Sequence, residues 1–239
     1  MSRREHAIRE GALRAVGPCG LFDAARGVYR WAPAAMGDDG GRRVVLVAQR
    51  ASGSGRFRLD DLPSTSGRLD VHLRCLRAAF LLSHGLRRDV TVELVLLGDR
   101  EAPRVVRLVG ASLRFLRPDE RAMAVLMQKI LTAEVGSEGW HEVRPGCFVS
   151  RGGTATLEAD WHPENLLWLD ETGEDLRAAS LAPGPVTLVL GDHHGLDDAT
   201  RAILEGRGAK KVSIGPLSVH ADDALAVAFN ELDRRASAR

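Results

Sequence analysis

The sequence predicts an α/β fold with a mostly parallel sheet and helices on both faces, and three observations lead there. Residues 90–97 form a continuous run of β-branched and leucine residues, the pattern of a strand covered on both sides. Short apolar strands alternate with helix-period segments through the C-terminal third, as parallel crossovers require. The 239 residues, 44% apolar and 27% charged, suffice for one large core. No stretch approaches the roughly 18 apolar residues of a membrane span. The charged N-terminus lacks the apolar run of about 7–15 residues of a secretory signal, so a cytoplasmic location is expected. Cys19, Cys75 and Cys147 are too few and too scattered for a disulfide framework or a Cys-rich zinc site.

Residues 1–42 read as an N-terminal extension and 43–239 as a single domain. The extension holds two short helical patterns, over 4–16 and 21–28. It ends in the linker-like Gly37-Asp38-Asp39-Gly40-Gly41. The first strand of the domain spans 44–48. A helical pattern over 70–84 stops at Gly85, a suitable C′ residue. After the strand at 90–97 come further strands at 104–109 and 112–115. Pro118, Asp119 and Glu120 open a helix reaching about 135, with acids in the first turn as the helix dipole favours. Strands then recur at 166–169, 186–190 and 211–214. Helices follow them at 174–179, 197–206 and 220–235. The last helix carries an apolar stripe, Leu225, Phe229 and Leu232, suited to burial against a second copy.

In an open parallel sheet, ligands bind beyond the carboxyl ends of the strands. Three glycine-bearing loops occupy that place: 170–175, 191–195 and 215–219. Together they suit backbone recognition of an adenine and its ribose. There is no GxGxxG after a first strand, no GxxxxGK[ST] and no GxSxG, which argues against a standard dinucleotide fold, a P-loop and a nucleophile elbow. Asp192, His193 and His194 lack a third ligand at metal spacing, so no metal is expected. Net charge is only +1, which excludes coating of nucleic acid by bulk charge. Of the 33 basic residues, however, only Lys129, Lys210 and Lys211 are lysines. Arginine forks onto phosphate bidentately. Arg68, Arg74, Arg87 and Arg88 cluster on and after one helix, where they can track RNA phosphates or form a solvated face.

Several strings carry a resemblance. GRLDVHLRCLRAAFLLSHGLRRDV (67–90, preceded by DDLP), RPDERAMAVLMQKIL (117–131), LWLDETGEDL (167–176), LGDHHGL (190–196) and VSIGPLSVHADDALAVAFNELDRR (212–235) appear in family order. The chain resembles the tRNA pseudouridine-54 N1-methyltransferase family of the SPOUT superfamily. The resemblance implies a homodimer, a C-terminal trefoil knot, S-adenosylmethionine as cofactor and methyl transfer to N1 of pseudouridine 54 in the tRNA T-loop. By position it implies cofactor contacts from Leu169, Gly191, Ile214, Gly215, Leu217 and Ala224. One departure stands out. Where the family ends its third loop with an Asn-His-Cys-Ile-like run, this chain has Asp222, Asp223, Ala224 and Leu225.

The N1–H of pseudouridine is a weak acid and has to lose its proton before or during attack, which calls for a base or a polarised carbonyl. Asp70, opening a helix, and then His220 are the candidates. N-capping is the alternative role for Asp70. Two rival functions remain: a SPOUT methyltransferase acting on ribosomal or other RNA pseudouridine, and a non-catalytic binder of RNA or adenosylmethionine.

Overall fold

The computed structural model describes residues 13–15, 20–23, 28–31, 41–99, 103–136 and 139–237. Three short strands, β1 (Leu13–Ala15), β2 (Gly20–Asp23) and β3 (Val28–Trp31), pair as an antiparallel meander. Strand structure therefore replaces the helices expected over 4–16 and 21–28 wherever those segments are described. Val28, Tyr29 and Trp31 favour a pleated surface over a helix. The rest of 4–16 and the linker residues 37–40 lie outside the described residues.

The main sheet has eight strands: β4 (Arg42–Ala48), β7 (Val90–Leu96), β8 (Arg104–Val109), β9 (His141–Arg144), β10 (Cys147–Arg151), β11 (Leu166–Asp175), β12 (Val186–Gly191) and β13 (Lys210–Ser213). A two-residue-strand hairpin, β5 (Leu81–Leu82) and β6 (Gly85–Leu86), stands apart from it. In the order β13-β11-β12-β4-β7-β8-β10-β9, the first five strands are parallel and the last three antiparallel. Five helices accompany the sheet: α1 (Leu62–Thr65), α2 (Leu69–Phe80), α3 (Glu120–Leu131), α4 (Asp198–Gly206) and α5 (Ala221–Ser237). The period-2 pattern of β4 divides the interior. Val44, Leu46 and Ala48 join the core under α2, α3 and α5, while Val45 and Val47 join a smaller core that includes Leu204 of α4.

Two expected helices end early and two expected elements do not form, each for a local reason. Helix α2 stops at Phe80 because Leu81 turns extended and pairs with Leu86, which puts Gly85 in a hairpin instead of a helix cap. Residues 112–115 form no strand: Arg88 Nη1 takes the carbonyls of Gly110 (2.9 Å) and Leu113. Helix α3, N-capped by Asp119 Oδ1 accepting from the Ala122 N–H at 2.7 Å, ends at Leu131. The segment 174–179 is not helical. Strand β11 pairs with β13 at 167–169 and again at 174–175, and then turns on the Asp175 carboxylate, which accepts from the Arg177 N–H at 2.9 Å. The hairpin β9–β10 went unread in the sequence.

One buried charge cluster spans the sheet. Glu93 on β7 accepts from Arg43 Nη1 of β4 (2.5 Å) and Arg107 Nε of β8 (2.7 Å), and Arg107 reaches Asp160 at 2.5 Å. Glu93 and Arg107 are fully buried. Removing one member of such a group leaves a charge with no water to solvate it, which costs about 3–5 kcal/mol. Urea titration should show Glu93→Ala losing that much stability. Asp60→Ala, which breaks the exposed Arg58–Asp60 pair, should lose under about 1 kcal/mol.

Candidate functional site

Strands β13, β11 and β12 are neighbours and parallel, so the three expected glycine loops lie at the same edge of the sheet, the first of them (170–175) being a bulged continuation of β11 and not a free loop. Leu169, Gly191 and Ile214 mark their starts. In the first loop, a Cβ on Gly173 would lie 2.4 Å from the Val212 backbone nitrogen, so only glycine crosses β13 there. The second loop folds on itself through an Asp192–Gly195 bridge. Asp192 accepts from the backbone N–H groups of His194 (2.7 Å) and Gln49 (3.0 Å), and Gln49 Nε2 donates to the Gly195 carbonyl at 3.0 Å. The Asp-His-His cluster thus shapes its own loop and ties it to the end of β4. Among the described residues no group of three or more His, Cys, Asp or Glu is placed to hold a metal ion.

The third loop differs. Among the described residues no hydrogen bond engages the peptide groups of Gly215, Leu217, Ser218 or Val219, and a Cβ on Gly215 would meet nothing within 4 Å. Leu217 is 75% exposed. Unpaired backbone beside open space, at the carboxyl edge of three adjacent parallel strands, suits the adenine and ribose of S-adenosylmethionine. Ala224 lies in the first turn of α5, the helix that follows this loop.

Asp70 lies nearby on α2, but the helix cap is Arg68, whose φ of 68° is left-handed, and Ser66 Oγ takes the Leu69 N–H at 3.1 Å. Asp70 is therefore not the N-cap. Its buried carboxylate has both oxygens engaged, by Arg68 Nε (3.0 Å), Arg68 Nη2 (3.2 Å) and Arg74 Nη1 (3.2 Å). Burial pushes its pKa up, but the hydrogen bonds and charges of Arg68 and Arg74 outweigh that and hold it below the usual carboxylate value. Arg74 also faces Asp222 of α5 at 3.6 Å, which links the Asp70 clasp to the helix carrying Ala224. His220 is 85% exposed, with Nδ1 4.0 Å from Asp223. Cys75 is core, and burial raises its thiol to about 12.

The remaining expected RNA contacts are used within the fold. Arg87 grips both oxygens of Asp233 (3.0 and 2.6 Å), and Arg88 holds the carbonyls named above. Leu225, Phe229 and Leu232 face the protein's own core, packed with α2, so this stripe is not available to a second copy. Sequence reading missed Gln49 and Asp233, whose partners lie 143 to 191 positions away, and it could not pair Asp222 with Arg74.

Residues 42–237 match a family described as S-adenosylmethionine-dependent RNA methyltransferases. The chain belongs to this family. Among its relatives, the tRNA (pseudouridine(54)-N(1))-methyltransferases of Methanosarcina acetivorans and Methanocella arvoryzae are 39% and 42% identical. Those matches cover 83% and 81% of this chain and 93% and 100% of theirs. A crystal structure of Archaeoglobus fulgidus Nep1 bound to S-adenosylhomocysteine shares the fold, with a TM-score of 0.56 at 17% identity. It matches over 84% of this chain and 100% of its own length.

Two predictions follow from the geometry. A Cβ on Gly191 would lie 2.2 Å from the Gly195 carbonyl oxygen, so Gly191→Val should lower the melting temperature by breaking the second loop. Gly215→Val projects into open space instead. It should keep the melting temperature while weakening S-adenosylmethionine binding about tenfold or more in titration calorimetry, a change of ~1.4 kcal/mol. The Asp70 clasp has its own pH signature. Because the folded pKa is depressed, its stabilisation is complete above the unfolded value of about 4 and disappears as pH falls through the folded value. The stability gap between wild type and Asp70→Asn should be flat above about pH 5 and close in acid.

Proposed function

We propose that this protein transfers the methyl group of S-adenosylmethionine to N1 of pseudouridine 54 in the T-loop of tRNA. The carrying observation is geometric. The third glycine loop, with its unengaged backbone, lies at the carboxyl edge of three adjacent parallel strands, and the adjoining helix is joined through Asp222 and Arg74 to the buried Asp70 clasp. The names and coverage of the relatives support the target base. When bound, S-adenosylmethionine supplies an electrophilic methyl, so the protein's main task is to align the nitrogen with it and manage one proton.

The residues divide that task. Leu169, Gly191, Ile214, Gly215, Leu217 and Ala224 line the cofactor end. Asp70 fixes Arg68, whose half-exposed guanidinium keeps N–H groups for polarising a base carbonyl and so acidifying N1–H. Arg74 is held between Asp70 and Asp222. His220, exposed at the end of the third loop, is the side chain free to accept the N1 proton. Ala224 supplies no thiol in this arrangement.

The assembly is a homodimer, with Leu217, Val219 and Val227 as exposed apolar residues beside and on α5. The knot is supported by the chain path: it leaves edge strand β13 and returns as α5 over the centre of the sheet. A cytoplasmic location suits a tRNA-modifying enzyme, and no described helix is long and apolar enough to cross a membrane.

Nucleoside mass spectrometry should show 1-methylpseudouridine in a tRNA carrying pseudouridine 54, and none in the same transcript carrying uridine 54. Methylation of ribosomal RNA alone would move the substrate, and binding without turnover would make the chain a non-catalytic homologue. His220→Gln should lower single-turnover rates by about 10²–10⁴ with cofactor affinity unchanged; a loss below tenfold would place the base elsewhere. Light scattering should give twice the chain mass at micromolar concentration, and a clean monomer would remove the dimer.

A further inference from the structure

Residues 49–52 leave the middle of the sheet at its carboxyl edge and join two parts of the site. Strand β4 pairs with β12 in a register that sets Val47 beside Gly191, so Gln49 emerges next to the second glycine loop. It holds that loop by three hydrogen bonds. The Gln49 N–H donates to Asp192 Oδ2 at 3.0 Å, and Nε2 donates to the carbonyls of Gly195 (3.0 Å) and His194 (3.3 Å). The Gly195 carbonyl is also the group that abuts Gly191, at the cofactor end.

On its other side the same segment meets the entry to α2. The Ser52 N–H donates to the Ser66 carbonyl at 2.9 Å, and Ser66 Oγ takes the Leu69 N–H at 3.1 Å. Between these ends the Arg50 carbonyl is wedged between two backbones. A Cβ on Gly67 would lie 1.7 Å from its oxygen, and one on Gly98 2.0 Å. The Gly98 N–H also holds the Ala51 carbonyl at 3.0 Å. Gly67 and Arg68 are both left-handed, with φ of 66° and 68°, so the turn that presents Arg68 and Asp70 is seated directly on Arg50.

Close-packed backbone transmits a displacement because no void absorbs it. A shift of the second loop therefore passes through 49–52 to the turn that aims the Arg68 guanidinium. We propose that Gln49 is a positioning residue that couples the cofactor end of the site to the end that receives the base, so that cofactor and RNA each bind more tightly when the other is present. The inference rests on the reading of this chain as a methyltransferase of pseudouridine 54 with Arg68 facing the base.

The Gln49 side chain suits this task. One amide nitrogen carries two hydrogens and can serve two carbonyls, and it adds no charge beside Asp192. Both of its bonds lie at the exposed rim of the loop, so they can be cut without opening the core. Gln49→Met keeps the length of the side chain and the backbone bond to Asp192, and loses both side-chain bonds. Coupling is reciprocal: the factor by which cofactor tightens RNA equals the factor by which RNA tightens cofactor. That equality is a readout that a purely structural role for Gln49 does not move.

The test uses the full chain, a tRNA carrying pseudouridine 54, and S-adenosylhomocysteine, which occupies the cofactor loops without turnover. Calorimetry gives the cofactor affinity with and without saturating tRNA, and fluorescence anisotropy gives the tRNA affinity with and without cofactor. In wild type the two factors should agree and fall within about 5- to 150-fold. In Gln49→Met both should drop to within about twofold of one, at an unchanged melting temperature. Gln49→Lys, which restores a donor to the two carbonyls, should recover most of the factor. Equal factors in wild type and Gln49→Met would overturn the assignment, as would a wild type without coupling. A large drop in melting temperature, with Gln49→Lys also uncoupled, would make Gln49 part of the fold alone and overturn it too. Failure of this inference is distinct from failure of the reading beneath it. If wild type methylates pseudouridine 54 and Gln49→Met keeps the full factor, only the role of Gln49 is refuted. If Gln49→Met loses a coupling that wild type shows, yet wild type leaves pseudouridine 54 unmodified, only the target nucleotide is refuted.

Discussion

The return of α5 across the sheet is the constraint on which the rest of this structure depends. Strand β13 lies at one edge, yet the helix that follows packs against α2 over the centre. Leu225, Phe229 and Leu232 supply the apolar part of that packing, and charge fixes its register. Asp233 is gripped by Arg42 at 2.6 Å and Arg87 at 2.6 and 3.0 Å, and both guanidiniums lie over the Phe229 ring. Burial would raise the Asp233 pKa, but those two arginines hold it below the usual value. Two residues on, Arg235 donates to the carbonyls of Ala179 (2.8 Å), Leu176 (2.6 Å) and Arg177 (3.1 Å), tying the β11–β12 connection to the same helix. The third loop therefore spans a distance set at both ends, and its peptide groups at 215 and 217–219 have no hydrogen-bond partner among the described residues.

Arginine does two different jobs in this fold. One set is interior or half-buried and consumed: Arg43 and Arg107 by Glu93, Arg42 and Arg87 by Asp233, Arg68 and Arg74 by Asp70. Guanidinium suits this role because its planar fork makes two bonds to one carboxylate and is weakly hydrated. The other set, represented by Arg77 and Arg114, stays on the surface, its side chains without a hydrogen bond or ion pair among the described residues. A net charge of +1 hides this partition, because paired charges cancel inside the molecule while the remaining arginines stay on its surface.

The sequence by itself determined the elements whose pattern is local. The buried parallel strands, the Asp119-capped helix and the glycine loops at the strand ends follow from periodicity and turn chemistry within a few residues. The family strings point to the same loops that the strand-end argument selects. What only the tertiary structure decided involves partners far apart in the chain. Residues 112–115 have a strand-like pattern, but Arg88, more than twenty positions earlier, takes the carbonyls of Leu113 and of Gly110 just before the segment. Asp70 has the sequence position of a capping residue, but two arginines engage its carboxylate and Arg68 occupies the cap. The stripe on α5 has the right spacing for any apolar contact, and spacing cannot say whether that surface is the protein's own α2 or a second copy. The choice falls to the chain path from β13, because burial of an amphipathic face fixes only that it is covered, while topology fixes by what.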